Sequence, residues 1–318
     1  MEFNLLIENL TNPALLFFVL GVLAVRVKSD LEIPPTSSKF ISIYLLFSIG
    51  FKGGQELAHS HISWQIVLPV ILGILSAVAI PLYTFFILKR NLSVSDAGAI
   101  AAAYGSVSAV TFVTAISFLE MHNIEFGGHM VAVMALMEAP AILIGVILVR
   151  MYCKENEHKS LKTVIKHSIA NGSVFLILGS LVIGFLASEK QAQGIAPFTT
   201  DIFKGFLAVF LLDMGISSGK KLNDFLKSGW FTTSFAVIMP LVNGCAMALL
   251  SLLFNMHAED RFVLAVLAAS ASYIAVPAAM SIAVPKANPG LYLPMALAVT
   301  FPINITIGLP IYYGIVMN

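Results

Sequence analysis

Ten apolar runs divide the chain, at approximately residues 11–27, 39–57, 63–88, 95–119, 127–151, 169–187, 202–218, 229–254, 260–284 and 290–316. A helix needs roughly 20 apolar residues to cross about 30 Å of hydrocarbon. Several runs exceed that minimum, which predicts tilted or interrupted helices. Only 11% of the 318 residues are charged, against about 25% in soluble domains, so the sequence reads as an all-α membrane protein of ten transmembrane helices. The same composition excludes disorder. A net charge of +1 gives nucleic acid no electrostatic footprint. Cys153 and Cys245 form no Cys-x-x-Cys pair, which argues against a disulfide scaffold and a cysteine zinc site. The sequence has no Walker A loop, so transport within this chain is not expected to be driven by ATP.

The N-terminal segment is acidic, with Glu2 and Glu8 and no Lys or Arg before Arg26. A signal peptide has a positive start, so the first run is expected to be a retained helix. With the N-terminus outside, fourteen basic residues fall on the cytoplasmic side and four (Lys52, Lys190, Lys204 and Arg261) on the outer side. That bias is the one expected of an N-out, C-out protein. The longest polar stretch follows Arg150, and residues 152–168 read as a cytoplasmic linker.

The two halves on either side of that linker resemble each other. Ile49–Leu57 matches Met214–Leu222, Gly105–Val113 matches Ala269–Pro277, and Met134-Ala-Leu136 returns as Met295-Ala-Leu297, each followed by a proline, Pro140 and Pro302. Trp64 and Trp230 begin equivalent spans. Each half holds five spans, an odd number, so the second must enter the membrane from the other side. This predicts two inverted five-helix repeats, residues 1–151 and 169–318, an architecture common in secondary transporters.

Span four carries Gly105, Ser106, Val107 and Ser108, and span nine carries Ser270, Ala271 and Ser272 with Pro277 shortly after. Counted by helical rise, both clusters lie about 15–20 Å deep from opposite faces. Irregular backbone survives there only where it is buried or lines a cavity. Two broken helices crossing with their N-termini converging would make an anion site without formal charge. The alternative is close helix packing through small residues; the duplicate in the related span favours a site.

Two carboxylates fall within spans, Glu138 and Asp213, and acids at such depth are functional candidates by default. Glu138, beside Pro140, is the stronger; it can coordinate Na⁺ or carry a proton. Its counterpart is Thr300 or a neighbour, with Asn304 and Thr306 following, all oxygen ligands. Asp213 is expected to face an aqueous vestibule. Lys52 could draw anions inward, but it is rather expected to snorkel to the interface, and His59, His61, His122 and His129 are expected to be solvated in outer loops.

Five segments in order carry a resemblance across essentially the whole chain: Ile-Gly-Phe-Lys-Gly-Gly (49–54), Gly-Ser-Val-Ser (105–108), Leu-Met-Glu-Ala-Pro-Ala (136–141), Ala-Ala-Ser-Ala-Ser (268–272) and Val-Pro-Lys-Ala-Asn-Pro-Gly-Leu-Tyr (284–292). The sequence resembles the sodium-dependent bicarbonate permease family, best known from cyanobacteria. The resemblance implies a core domain of spans 3–5 and 8–10 and a gate domain of spans 1–2 and 6–7, moving as an elevator. It implies a homotrimer in the cell (inner) membrane and a cytoplasmic PII-like regulator, although the central loop here is shorter. Bicarbonate or a similar small anion would sit on Gly105, Ser106, Val107, Ser108, Ser270, Ala271 and Ser272. Na⁺, the coupling ion, would be held by Glu138, Thr111, Tyr273, Thr300 and Asn304, with no cofactor and no transition metal. Glu138 stands where the cyanobacterial proteins have an aspartate. Tyr273 stands where they have another, and Ala275 and Val276 replace small polar and glycine residues.

Competing readings are a sodium- or proton-coupled carrier of a different organic anion, a cation/proton antiporter and a channel. An antiporter typically keeps an aspartate at the crossing, and neither serine cluster holds one. An enzyme is not expected, since Ser106 and Ser270 have no base in sequence near mid-span.

Overall fold

The computed structural model describes residues 7, 9, 11–59, 63–153, 172–226 and 229–317, and among them there is no strand. The helices are α1 (Pro13–Arg26), α2 (Pro35–His59), α3 (Trp64–Leu88), α4 (Val94–Gly105), α5 (Ala109–Met121), α6 (His129–Tyr152), α7 (Gly172–Leu186), α8 (Glu189–Ala196), α9 (Phe203–Leu226), α10 (Trp230–Ser251), α11 (Ala258–Ala269), α12 (Ala275–Ala283) and α13 (Pro289–Met317). Among the described residues, each of the ten apolar runs is largely helical. Six stretches are long and apolar enough to cross a membrane: Trp64–Leu88, Val94–Met121, His129–Tyr152, Glu189–Leu222, Trp230–Ser251 and Pro289–Met317. Helices α1 and α7 are apolar but shorter. Most of the linker at 152–168 lies outside the described residues, as does His61.

Local chemistry sets the helix ends. Proline occupies the first turn of α1 and α13, where its missing N–H costs nothing. The Asn12 side chain accepts from Ala14 N, and the Ser93 hydroxyl accepts from Asp96 N.

Four helices form one bundle through two tight glycine contacts. Helix α1 lies on α9 where Gly21 faces the Leu212 carbonyl and Gly215. Helix α2 lies on α7 where Gly54 faces the Leu181 carbonyl and Gly184. A Cβ at any of these glycines would collide with backbone, so only glycine lets these helices approach so closely. The rest of the fold packs α3 against α4 and α6, and α10 against α11 and α13. Helices α4 and α11 are its centre, with Ala99 to Ala103 and Phe262 to Ala269 almost wholly enclosed.

Prolines inside these helices free carbonyls four residues back, and side chains from elsewhere answer several of them. Pro240 frees the Ala236 carbonyl, which accepts from Thr300 Oγ1 at 2.8 Å. Pro310 frees the Thr306 carbonyl, which accepts from Asn9 Nδ2 at 3.0 Å. Helix α13 also widens into π-helix at Met295–Thr300 and Asn304–Gly308.

Several expectations about charged groups change. Lys52, one-third exposed, is ion-paired with Glu120. Asp213 is buried at the α2–α9 contact and accepts from Ser38 Oγ. His129 is buried, with Nε2 3.2 Å from Asp260 Oδ2. His122 is half-buried, and its Nδ1 lies 2.8 Å from the Phe118 carbonyl. The sequence places these histidines in loops, but His122 caps the C-terminus of α5 and His129 is the first residue of α6. His59 is exposed and lies 3.5 Å from Glu189.

The glycine contact gives a test with a reversed sign. Gly→Ala within a helix usually stabilises by up to about 1 kcal/mol. Gly54→Ala should instead destabilise by about 1–3 kcal/mol through overpacking. Gly179→Ala, where a Cβ meets open space on the same pair of helices, should be neutral or stabilising. Thermal unfolding of the detergent-solubilised variants, followed by size-exclusion chromatography, reads both.

Candidate functional site

The site starts from two interruptions. Helix α4 stops at Gly105, and Ser106 continues in extended backbone (φ −86°, ψ −179°). Helix α11 stops at Ala269, and Ser270 does the same (φ −76°, ψ 164°). A serine then restarts each chain. Ser108 caps α5, its hydroxyl accepting from Thr111 N at 3.2 Å. The Ser272 hydroxyl accepts from Val276 N at 3.4 Å in the first turn of α12.

The interrupted segments cross and hydrogen-bond to each other. Ser108 N donates to Ser270 Oγ at 3.0 Å, and Ser272 N donates to the Ala103 carbonyl at 2.8 Å. Each break thereby satisfies a backbone group that it would otherwise leave orphaned at depth. The Ser270 hydroxyl in turn donates to the Leu267 carbonyl at 2.8 Å.

A cavity lies on one side of this crossing. It is lined by Val107, Ser108, Ala109 and Val110 from the first break and by Ser272 to Ala275 from the second. The first N–H groups of a helix have no partner within it, and here Ala109, Val110 and Ala275 bring them to one space. Each helix N-terminus also carries about half a positive charge. The opposite wall is mostly apolar and comes from the glycine-packed bundle: Ser42, Leu45 and Leu46 of α2, Ile177 of α7 and Phe210 of α9. The cavity is partly open to its surroundings and has room for water-sized groups beside the helix ends.

Glu138 of α6 lines the same cavity. It is 9% exposed, and its Oε1 is buried without a hydrogen-bond partner. A buried carboxylate without a donor is costly, so this oxygen calls for a cation or a proton. The cavity therefore pairs two positive helix ends with one unanswered acid.

The anion residues expected from sequence divide into two groups. Val107, Ser108 and Ser272 line the cavity, while Gly105, Ser106, Ser270 and Ala271 do not. Gly105 packs against Pro81 of α3 and Ala141 of α6. Ser270 holds the crossing together. The Ser106 hydroxyl is buried with no partner, and Ala271 is buried as well.

The expected sodium residues do not converge on one point. Glu138 and Tyr273 share the cavity; Thr111, Thr300 and Asn304 are buried away from it. Thr300 donates to the Ala236 carbonyl and lies 2.7 Å from Tyr104 Oη. Asn304 Nδ2 donates to the Ala269 carbonyl at 2.8 Å, and its Oδ1 accepts from Tyr312 Oη at 2.9 Å. Thr306 bonds back to the Pro302 carbonyl. Tyr273 Oη faces Met214 Sδ at 3.9 Å, a weak contact between the crossing and α9.

Sequence reasoning anticipated free N–H groups at the converging helix ends but did not name Ala109, Val110 and Ala275 as their carriers, and it missed the wall from α2, α7 and α9. The donors become visible once Ser108 is read as the cap of α5 and Ser272 as a residue just before α12. The wall has no signal in an apolar sequence. No group of three or more His, Cys, Asp or Glu suited to a metal ion occurs among the described residues.

A family model described as the Na⁺-dependent bicarbonate transporter superfamily matches residues 13–317, a range that holds both breaks and Glu138. No curated protein sequence matches the chain significantly. Together with the long apolar helices, this match makes the chain a multi-pass membrane protein that belongs to the Na⁺-dependent bicarbonate transporter superfamily.

Proposed function

We propose that this protein takes up bicarbonate by secondary active transport coupled to Na⁺. The observation that carries the reading is the convergence of two helix N-termini and the unpartnered Glu138 carboxylate on one cavity. The helix ends supply donors and positive potential for an oxyanion, while Glu138 supplies a carboxylate oxygen for Na⁺. Opposite charges bound in one space lower each other's cost, which is a physical basis for coupling. Ser108 and Ser272 contribute hydroxyls to that space; Tyr273 lines it. A small carboxylate, whose oxygens the same helix-end donors would bind, is the remaining alternative.

The architecture proposed is ten spans in two inverted repeats. The α1–α9 and α2–α7 glycine contacts support it, because an inverted repeat exchanges one pair for the other. The two crossing hydrogen bonds, one donated by each break, support it as well. In this reading the bundle of α1, α2, α7 and α9 is the gate domain and the remainder the core. The cavity between them is carried across the membrane as the core slides. Both termini lie outside, and the basic residues of the short loops face the cytoplasm. Assembly as a homotrimer in the inner membrane, and control by a PII-like partner, complete the proposal by resemblance.

Purified protein in liposomes, given labelled bicarbonate with an inward Na⁺ gradient, should show saturable uptake that vanishes when K⁺ replaces Na⁺. Glu138→Gln should weaken the Na⁺ dependence by at least about tenfold, the equivalent of one lost ligand interaction. Ser108→Ala and Ser272→Ala should each raise KM for bicarbonate with less effect on Na⁺. Uptake that ignores Na⁺, or transport of acetate with none of bicarbonate, would contradict the proposal.

A further inference from the structure

The cavity meets α2 at Ser42, Leu45 and Leu46. Lys52 lies six residues beyond Leu46 on the same helix, about 9 Å further along the axis. There it is ion-paired with Glu120, which sits in the last turn of α5, about 18 Å beyond Ser108 by helical rise. Lys52 Nζ also stands 6.0 Å from the centre of the Phe126 ring, and Lys204 of α9 approaches the other Glu120 oxygen at 3.9 Å. Beside them Gly53 abuts Gly128 and Val131 without room for a side chain. All these contacts join the glycine-packed bundle to the body that carries the crossing, at the part of α2 farther from Ser42 than Leu46 is.

Lys52 and Glu120 are only partly exposed, 33% and 22%. Separating such a pair leaves each charge short of a partner in a partly dehydrated place. Now consider the sliding motion of the proposed mechanism, on which this argument rests. A slide of about 9–18 Å, the rise from Leu46 to Lys52 along α2 and from Ser108 to Glu120 along α5, carries the anion seat to the level of Lys52. Glu120 shares a helix with the cap residue Ser108, so it moves away from Lys52 by the same amount. An anion seated at the helix N-termini arrives as the carboxylate leaves.

We infer that Lys52 exchanges partners during transport, pairing with Glu120 in the conformation described here and with the transported anion in the opposite one. Glu120 acts as an internal stand-in for the substrate. It closes the outer end while the cavity serves the inner side, and it releases a lysine that receives anions from outside. Lys52 is thus a positioning residue for one side of the membrane only, and that asymmetry makes the inference testable.

Labelled bicarbonate flux in oriented proteoliposomes separates the two sides. Lys52→Gln should raise the external KM about tenfold more than the efflux KM, with the maximal rates of influx and efflux shifting so that Vmax/KM stays equal on the two sides at equal Na⁺; Lys52→Arg should restore the external KM. Spin labels at Ala58 of α2 and Glu125 of the α5–α6 loop, with Cys153 and Cys245 replaced by serine, report the latch without any flux. Glu120→Gln should add a population with a longer label separation. Equal KM changes on both sides, or no rescue by arginine, would overturn the inference. So would label distances that Glu120→Gln leaves unaltered. If the wild-type protein moves no bicarbonate, the transport proposal itself fails, and the label distances alone decide whether the ion pair is a latch.

Discussion

Backbone N–H and C=O groups inside a membrane protein have no water to fall back on, so an interrupted helix at depth must find its partners within the chain. The crossing of the two breaks is the answer here. Ser108 N uses Ser270 Oγ, Ser272 N uses the Ala103 carbonyl, and the Ser108 and Ser272 hydroxyls take the next donors along. The first residues of α5 and α12, whose N–H groups have no partner within the helix, line one cavity. A structural necessity and an anion seat thus come from the same few residues.

That economy also explains which polar side chains are unavailable as ligands. Thr300 and Asn304 look like oxygen ligands in sequence, but each hydrogen-bonds to a main-chain carbonyl at the heart of the fold. The Ala236 carbonyl is exposed by Pro240, and Thr300 supplies the donor it lacks. Ser270 is committed to the crossing in the same way. Glu138 is different: its Oε1 is enclosed with no donor near it. Among the residues singled out, it alone combines depth, charge and an unanswered oxygen at the cavity.

Much of this was legible in the sequence. The apolar runs located the helices, since little but length and hydropathy decides where a helix lies in such a chain. Gly105 to Ser108 and Ser270 to Ser272 located the breaks, because serine and glycine are poor helix formers that cap well. Glu138 stood out as an acid among apolar neighbours. Side-chain pairings between distant segments left no local trace. Lys52 with Glu120, His129 with Asp260 and Ser38 with Asp213 join residues far apart in sequence, and each looked solitary when read along the chain. The cavity's apolar wall was invisible for the opposite reason: Leu45, Leu46, Ile177 and Phe210 resemble every other residue around them.

The most direct test of the account is a high-resolution structure determined with bicarbonate and Na⁺ present. The account predicts density for a small planar anion within hydrogen-bonding distance of the Ala109, Val110 and Ala275 N–H groups, with a cation against Glu138. An occupied cavity of that kind would establish the crossing as the seat of binding. Bound anion elsewhere, with the helix N-termini facing only water, would contradict it.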